Sequence, residues 1–113
     1  MTIKWVQVDP LVMNGEPFCY GSRLTVRQLL ELRSNGYDLT RLIKDHPELR
    51  RVGIAAAYAY AGEHRDRYAD FFESDGSLAG PGYSDAEAAG LPERLRLPGI
   101  VVKPAPVTAV GPG

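Results

Sequence analysis

The residues of this sequence equipped for chemistry are two histidines, one cysteine, a glycine-rich turn and a set of arginines. His64-Arg65-Asp66 spells the tripeptide of a protein-kinase catalytic loop. Asp45-His46, Glu48 and Glu63-His64 set carboxylates beside imidazoles, as general acid–base chemistry does. A kinase also needs a glycine loop over the phosphates, a paired lysine and Asp-Phe-Gly, and this sequence has none of them. The histidines lack metal-ligand spacing and flank helix ends, where caps and surface groups are their usual role. Residues 15 to 23, G-x-P-x-x-x-G-S-R, have the glycine density of a phosphate loop without the lysine that such a loop brings to the phosphates. They read instead as a tight turn that hands the chain into a helix. Cys19 cannot form an internal disulfide or a cysteine metal cluster, and it reads as a small buried apolar residue. No catalytic residue, metal or cofactor is expected, and the chain is not read as an enzyme.

What remains is charge. The formal net charge is -1, but residues 23 to 51 sum to +3, with seven Arg/Lys against four Asp/Glu, and the stretches on either side are acidic. Arg23, Arg27, Arg41, Lys44, Arg50 and Arg51 are therefore the candidates for DNA contact, to phosphates or guanine edges. From Val52 to Gly62 there is no charged side chain, so a helix there has nothing to read bases with along its middle. Because that helix is apolar all round, it is expected to be buried on more than one side, which favours a protein partner.

These groups have to be positioned by local elements. "IKWVQV", residues 3 to 8, and "PFCY", residues 17 to 20, predict two short strands around an Asn14-Gly15 turn, pairing as a hairpin. Thr25 and Gln28 form a capping box for a first helix whose apolar face is Val26, Leu29, Leu30 and Leu32, with a stop at Gly36. Asp38 caps a second helix, "DLTRLIKDH", that buries Leu39, Leu42 and Ile43 and ends at Pro47. A longer third helix begins between Pro47 and Arg51 and is expected to run through "RVGIAAAYAYAG" and onward into "EHRDRYADFFE". Two short helices followed by a longer one is the order of a helix-turn-helix core. The last 40 residues hold seven Gly and six Pro, too many for an autonomous packed element, with a short capped turn at "SDAE" and an apolar run at "LRLPGIVV". The expected organisation is a helical domain over 1–73 and a partner-binding tail over 74–113. Neither a signal peptide nor a long uncharged apolar run is present, so a cytoplasmic protein without membrane contact is expected.

"NGEPFCYGSRLTVRQLLELRSNGYDLTRLIKDHPEL…IAAAYAYA" resembles the domain-of-unknown-function family 433 over roughly residues 3 to 65. Gly15, Pro17, Gly21, Arg23, Val26, Gly36, Ile43, Pro47, Leu49 and Tyr58 fall where the family has them. Ser22 replaces the usual threonine, His46 stands where an aromatic is common, and Arg50 stands where a Ser/Thr cap is usual. The resemblance implies a mainly α, homeodomain-like fold with a small N-terminal hairpin. It also implies an antitoxin-like role beside a PIN-like nuclease toxin, in the manner of VapB-like antitoxins. On that expectation the end of the last helix and the tail grip the toxin, through Tyr68, Phe71, Phe72, Leu91, Leu95, Leu97, Ile100, Val101 and Val102. A homodimeric core would bind operator DNA. A protein-interaction module without DNA affinity is the alternative.

Overall fold

The computed structural model describes residues 5–11, 15–22 and 24–103. The chain is mainly helical, with a short antiparallel hairpin at its N-terminal end. Strand β1 (Val6–Gln7) pairs with β2 (Phe18–Cys19) in the register Val6 to Cys19 and Gln7 to Phe18. On its other side β2 meets the segment leading into the first helix, through Cys19 N to Leu24 O at 2.9 Å and Val26 N to Pro17 O at 2.9 Å. The turn chemistry therefore closes the hairpin onto the helix start.

Helix α1 (Val26–Ser34) carries the expected capping box. The Gln28 amide donates to Thr25 Oγ1 at 3.0 Å, and the Thr25 amide donates to Gln28 Oε1 at 2.9 Å. At the other end Gly36 takes φ +96°, its amide bonds Arg33 O, and the Tyr37 amide bonds Leu32 O. This pair of reverse bonds satisfies carbonyls that the last turn would otherwise leave open. Helix α2 (Leu39–Asp45) is capped by Asp38, which accepts from the Arg41 amide at 2.9 Å, and it buries Leu39 and Leu42 while Ile43 is half-buried.

Helix α3 (Arg51–Glu63) is the centre of the fold and packs against α1, both strands and a short 3-10 turn at Glu93–Leu95. It ends at Glu63 and does not continue through Tyr68 and Phe72 as the spacing suggested. The His64 ring Nδ1 lies 2.8 Å from Tyr60 O and its ring stacks on Tyr60, and a turn and the 3-10 segment Ala69–Phe71 follow. The stretch 63–67 is almost wholly charged and solvent-exposed, so no apolar face remained to carry the helix across it.

The C-terminal part differs most from expectation. Helix α4 (Asp85–Ala88) has its own capping box, Ser84 with Glu87. Around it Leu78, Tyr83, Ala88, Leu91, Leu95, Ile100 and Val101 are buried in the same core cluster as Leu29, Ile54 and Tyr58. Residues 77–103 thus form a strap laid on the helical core. The partner for "LRLPGIVV" is the chain's own helices, which supply the apolar surface that a Gly- and Pro-rich segment cannot build alone.

Candidate functional site

Helix α1 shows how the strap is held. Val26, Leu29, Leu30 and Arg33 follow the i, i+3, i+4, i+7 rhythm of one helical face, and all four are buried. Arg33, rather than Leu32, is the fourth member of that face, and its relative exposure is 0%. Its guanidinium carbon lies 4.5 Å from the Tyr58 ring centroid on α3. Nη1 donates to Ile100 O at 2.5 Å, and Nη2 makes a longer contact to Leu78 O at 3.5 Å. Nε has no hydrogen-bond partner among the described residues. Burial lowers the Arg33 pKa from its ordinary value, partly offset by Tyr58 and Tyr83, and burial also holds the Tyr58 hydroxyl well above the usual tyrosine range. A desolvated cation over an aromatic face is worth about 2 kcal/mol, so carbonyl dipoles and the ring take the place of a carboxylate here. Tyr83 stands edge-on to Tyr58, and its hydroxyl donates to Arg51 O at the start of α3.

The docked strap builds one wall of an open apolar groove of about 750 Å³. The other walls are Trp5 and Val6 of the hairpin and the stripe Ala56, Ala59 and Tyr60 of α3, while Leu95, Leu97, Pro98 and Ile100 come from the strap. Glu63, Arg65 and Arg94 form its polar rim. Arg65 is committed, stacked over Phe72 at 4.7 Å and donating to Gly76 O, whereas Arg94 makes no hydrogen bond or ion pair among the described residues. Apolar surface continues onto the hairpin: Trp5 meets Tyr20 edge-on, and Leu11 is 94% exposed. The groove can hold the apolar side of a peptide segment and offer Arg94 to an acidic group at its edge.

The cationic candidates are spread more widely than a DNA-reading helix requires. Arg41 and Lys44 lie three residues apart on exposed positions of α2, and Arg50 and Arg51 are exposed at the positive end of α3. Arg41 is engaged locally, 4.0 Å over Tyr37 and 3.9 Å from Asp45. Arg27 is half-buried, stacked over Tyr68 and Phe71 and donating to Arg67 O, so its role is to fix the Ala69–Phe71 turn against α1. Arg23 lies outside the described residues. Because α3 buries Gly53, Ile54, Ala55, Ala57, Tyr58 and Ala61, it cannot lie in a major groove with that face.

The residues expected to grip a partner divide in the same way. Tyr68, Leu91, Leu95, Ile100 and Val101 are buried in the chain's own core, and Phe71, Phe72 and Val102 are half-buried against it. Of that set, Leu95, Leu97 and Ile100 also line the groove. The sequence reading missed Trp5, Ala59, Tyr60 and Arg94 as groove residues. The absence of charge from Val52 to Gly62 was the signal for Ala59 and Tyr60, and nothing comparable marked Trp5 or Arg94. Cys19 is 1% exposed, and burial pushes its thiol up to about 12. No group of three or more His, Cys, Asp or Glu could hold a metal ion among the described residues, and no described helix is long and apolar enough to cross a membrane.

Residues 6–61 match the family model described as a protein of unknown function, DUF433. This stretch belongs to that family. No curated protein and no solved structure matches the chain. The matched stretch holds the hairpin, α1, α2 and all but the last two residues of α3, while the strap lies beyond it. The groove is therefore lined partly by the DUF433 stretch, through Val6, Ala56, Ala59 and Tyr60, and partly by residues beyond it.

Proposed function

We propose that this protein works by binding another protein in the groove between α3, the hairpin and the strap, in the manner of an antitoxin that neutralises its toxin. The observation that carries the reading is the uncharged stripe Ala56, Ala59 and Tyr60, left facing a 750 Å³ apolar groove on the helix that is otherwise the centre of the core. Such a stripe suits the apolar side of a partner segment, with an acidic group of the partner meeting Arg94. The antitoxin-like role that the family resemblance implies supplies the kind of partner, a PIN-like nuclease. DNA contact is secondary in this reading and confined to phosphates reached by Lys44, Arg50 and Arg51.

The test is growth of cells expressing the product of the gene beside the one for this chain, with and without the chain. Rescue is expected, with loss of rescue by Ala59→Glu, which places a charge in the groove while the far-ultraviolet helical signal stays unchanged. Rescue that survives Ala59→Glu moves the contact away from the groove. A neighbouring product that is neither toxic nor bound removes the antitoxin reading.

A further inference from the structure

The strap is tied to the helical core in an unusual way. Its main-chain hydrogen bonds are largely internal: Leu78 N to Gly99 O, Tyr83 N to Val101 O, Lys103 N to Tyr83 O, and Val101 N to Leu97 O. Where it leaves the preceding turn, Ala79 N bonds Phe71 O. Among the described residues, no main-chain hydrogen bond runs from 77–103 to α1, α2 or α3. The direct polar ties to those helices are side-chain ones, from Arg33 to Ile100 O and Leu78 O and from the Tyr83 hydroxyl to Arg51 O. A segment that closes its own backbone bonds can leave a surface without exposing broken ones.

We infer that Arg33 is a latch: residues 77–103 dock on and leave the core as one unit, and the hold of Arg33 on the carbonyls of Leu78 and Ile100 shifts that equilibrium toward the docked state in which the groove's outer wall is in place. Arg33 belongs to the DUF433 stretch and its acceptors lie outside it, so the latch joins two parts of the chain. One fork reaches two strap carbonyls that are 22 residues apart in sequence, and so releasing it frees both ends of the strap together. In this arrangement Arg33 is a positioning residue for the groove, acting through Ile100, and a partner seated against Leu95, Leu97 and Ile100 favours the docked state. Only that last consequence rests on the proposed function; the latch itself does not.

Amide hydrogen exchange on the full chain tests this without any partner. In the wild-type chain the amides of Leu78, Tyr83 and Val101 are expected to exchange at least about tenfold faster than those of Leu30 and Tyr58 inside α1 and α3, since the strap opens below the global limit. Equal protection in the two groups would overturn the latch. Arg33→Met keeps the shape of the side chain and removes its charge and donors. It is expected to speed exchange of the three strap amides by roughly a further tenfold or more, with Leu30 and Tyr58 changed much less. Arg33→Lys restores the charge without the fork and should fall between the two. Acceleration of strap and helices by the same factor in Arg33→Met would mean that Arg33 is an ordinary core residue. Should Arg33→Met fail to fold, Tyr83→Phe, which removes the other tie, is expected to show the same selectivity for the strap, and a uniform effect there counts equally against the proposal.

Discussion

Gly80 of the strap lies against the main-chain carbonyl of Arg33, so closely that a Cβ at position 80 would overlap both the oxygen and the carbonyl carbon. Gly80 also takes φ +88°, a conformation that side-chain-bearing residues rarely adopt. Strap and helix therefore meet backbone to backbone here, and this proximity brings Ile100 and Leu78 within reach of the Arg33 fork.

Gly80→Ala is accordingly expected to destabilise the protein by at least about 2 kcal/mol, since neither the Arg33 backbone nor the left-handed turn can yield cheaply. The informative control is Gly21→Ala. Gly21 has φ +78° with open space around the Cβ position, so it carries the cost of the conformation without the overlap, roughly 1 kcal/mol. Urea denaturation of the two variants measures the difference. Equal losses would show that the close approach contributes nothing.

Much of the helical core was legible because its signals are local. The capping boxes at Thr25 and Ser84, the Asp38 cap and the Gly36 stop each depend on a few neighbouring residues, and each is found as expected. The strap was not legible, because its reason for being ordered is not in its own composition. Seven Gly and six Pro among 40 residues suggest a chain that cannot fold alone. Gly80 is one of those glycines, and its place is set by a carbonyl 47 residues earlier in the chain. Arg33 hid for a different reason: it sits on the buried rhythm of α1, but an arginine is counted as surface unless its acceptors are known, and these lie at Leu78 and Ile100. Tyr68 and Phe72 misled in the opposite direction, holding helical spacing across a stretch where the helix has already ended.

Alkaline pH is expected to weaken the fold, starting with Cys19. Burial raises its pKa from 9.0 to about 12, so below pH 9 the thiol is protonated in both folded and unfolded chains and costs nothing. Between pH 9 and 12 the unfolded thiol ionises while the folded one does not, and stability falls by up to about 1.4 kcal/mol per pH unit. Urea midpoints at pH 8, 9 and 10 should show this decline beginning before the tyrosines contribute. Cys19→Ala should flatten the segment between pH 9 and 10, at the expense of some packing. An unchanged decline in that variant would assign the effect to another group.

Binding to DNA, where it occurs, should be dominated by the phosphate backbone. Among the described residues of the basic stretch, the exposed cations whose side chains make no hydrogen bond or ion pair are Lys44, Arg50 and Arg51, at the end of α2 and the start of α3, while the middle of α3 is either buried or uncharged. Such a surface neutralises phosphates and carries little base discrimination, so affinity should be modest and should fall steeply with salt. Replacing Arg50 and Arg51 together with Ala is expected to reduce the slope of log K against log salt by roughly two units if both touch phosphates. Binding of a protein in the groove should survive that change, because neither Arg50 nor Arg51 lines the groove. A fluorescence titration of operator DNA from low to physiological salt separates the outcomes. A reduced slope with intact protein binding supports two independent surfaces, and no DNA binding even at low salt leaves the groove as the protein's route to a partner.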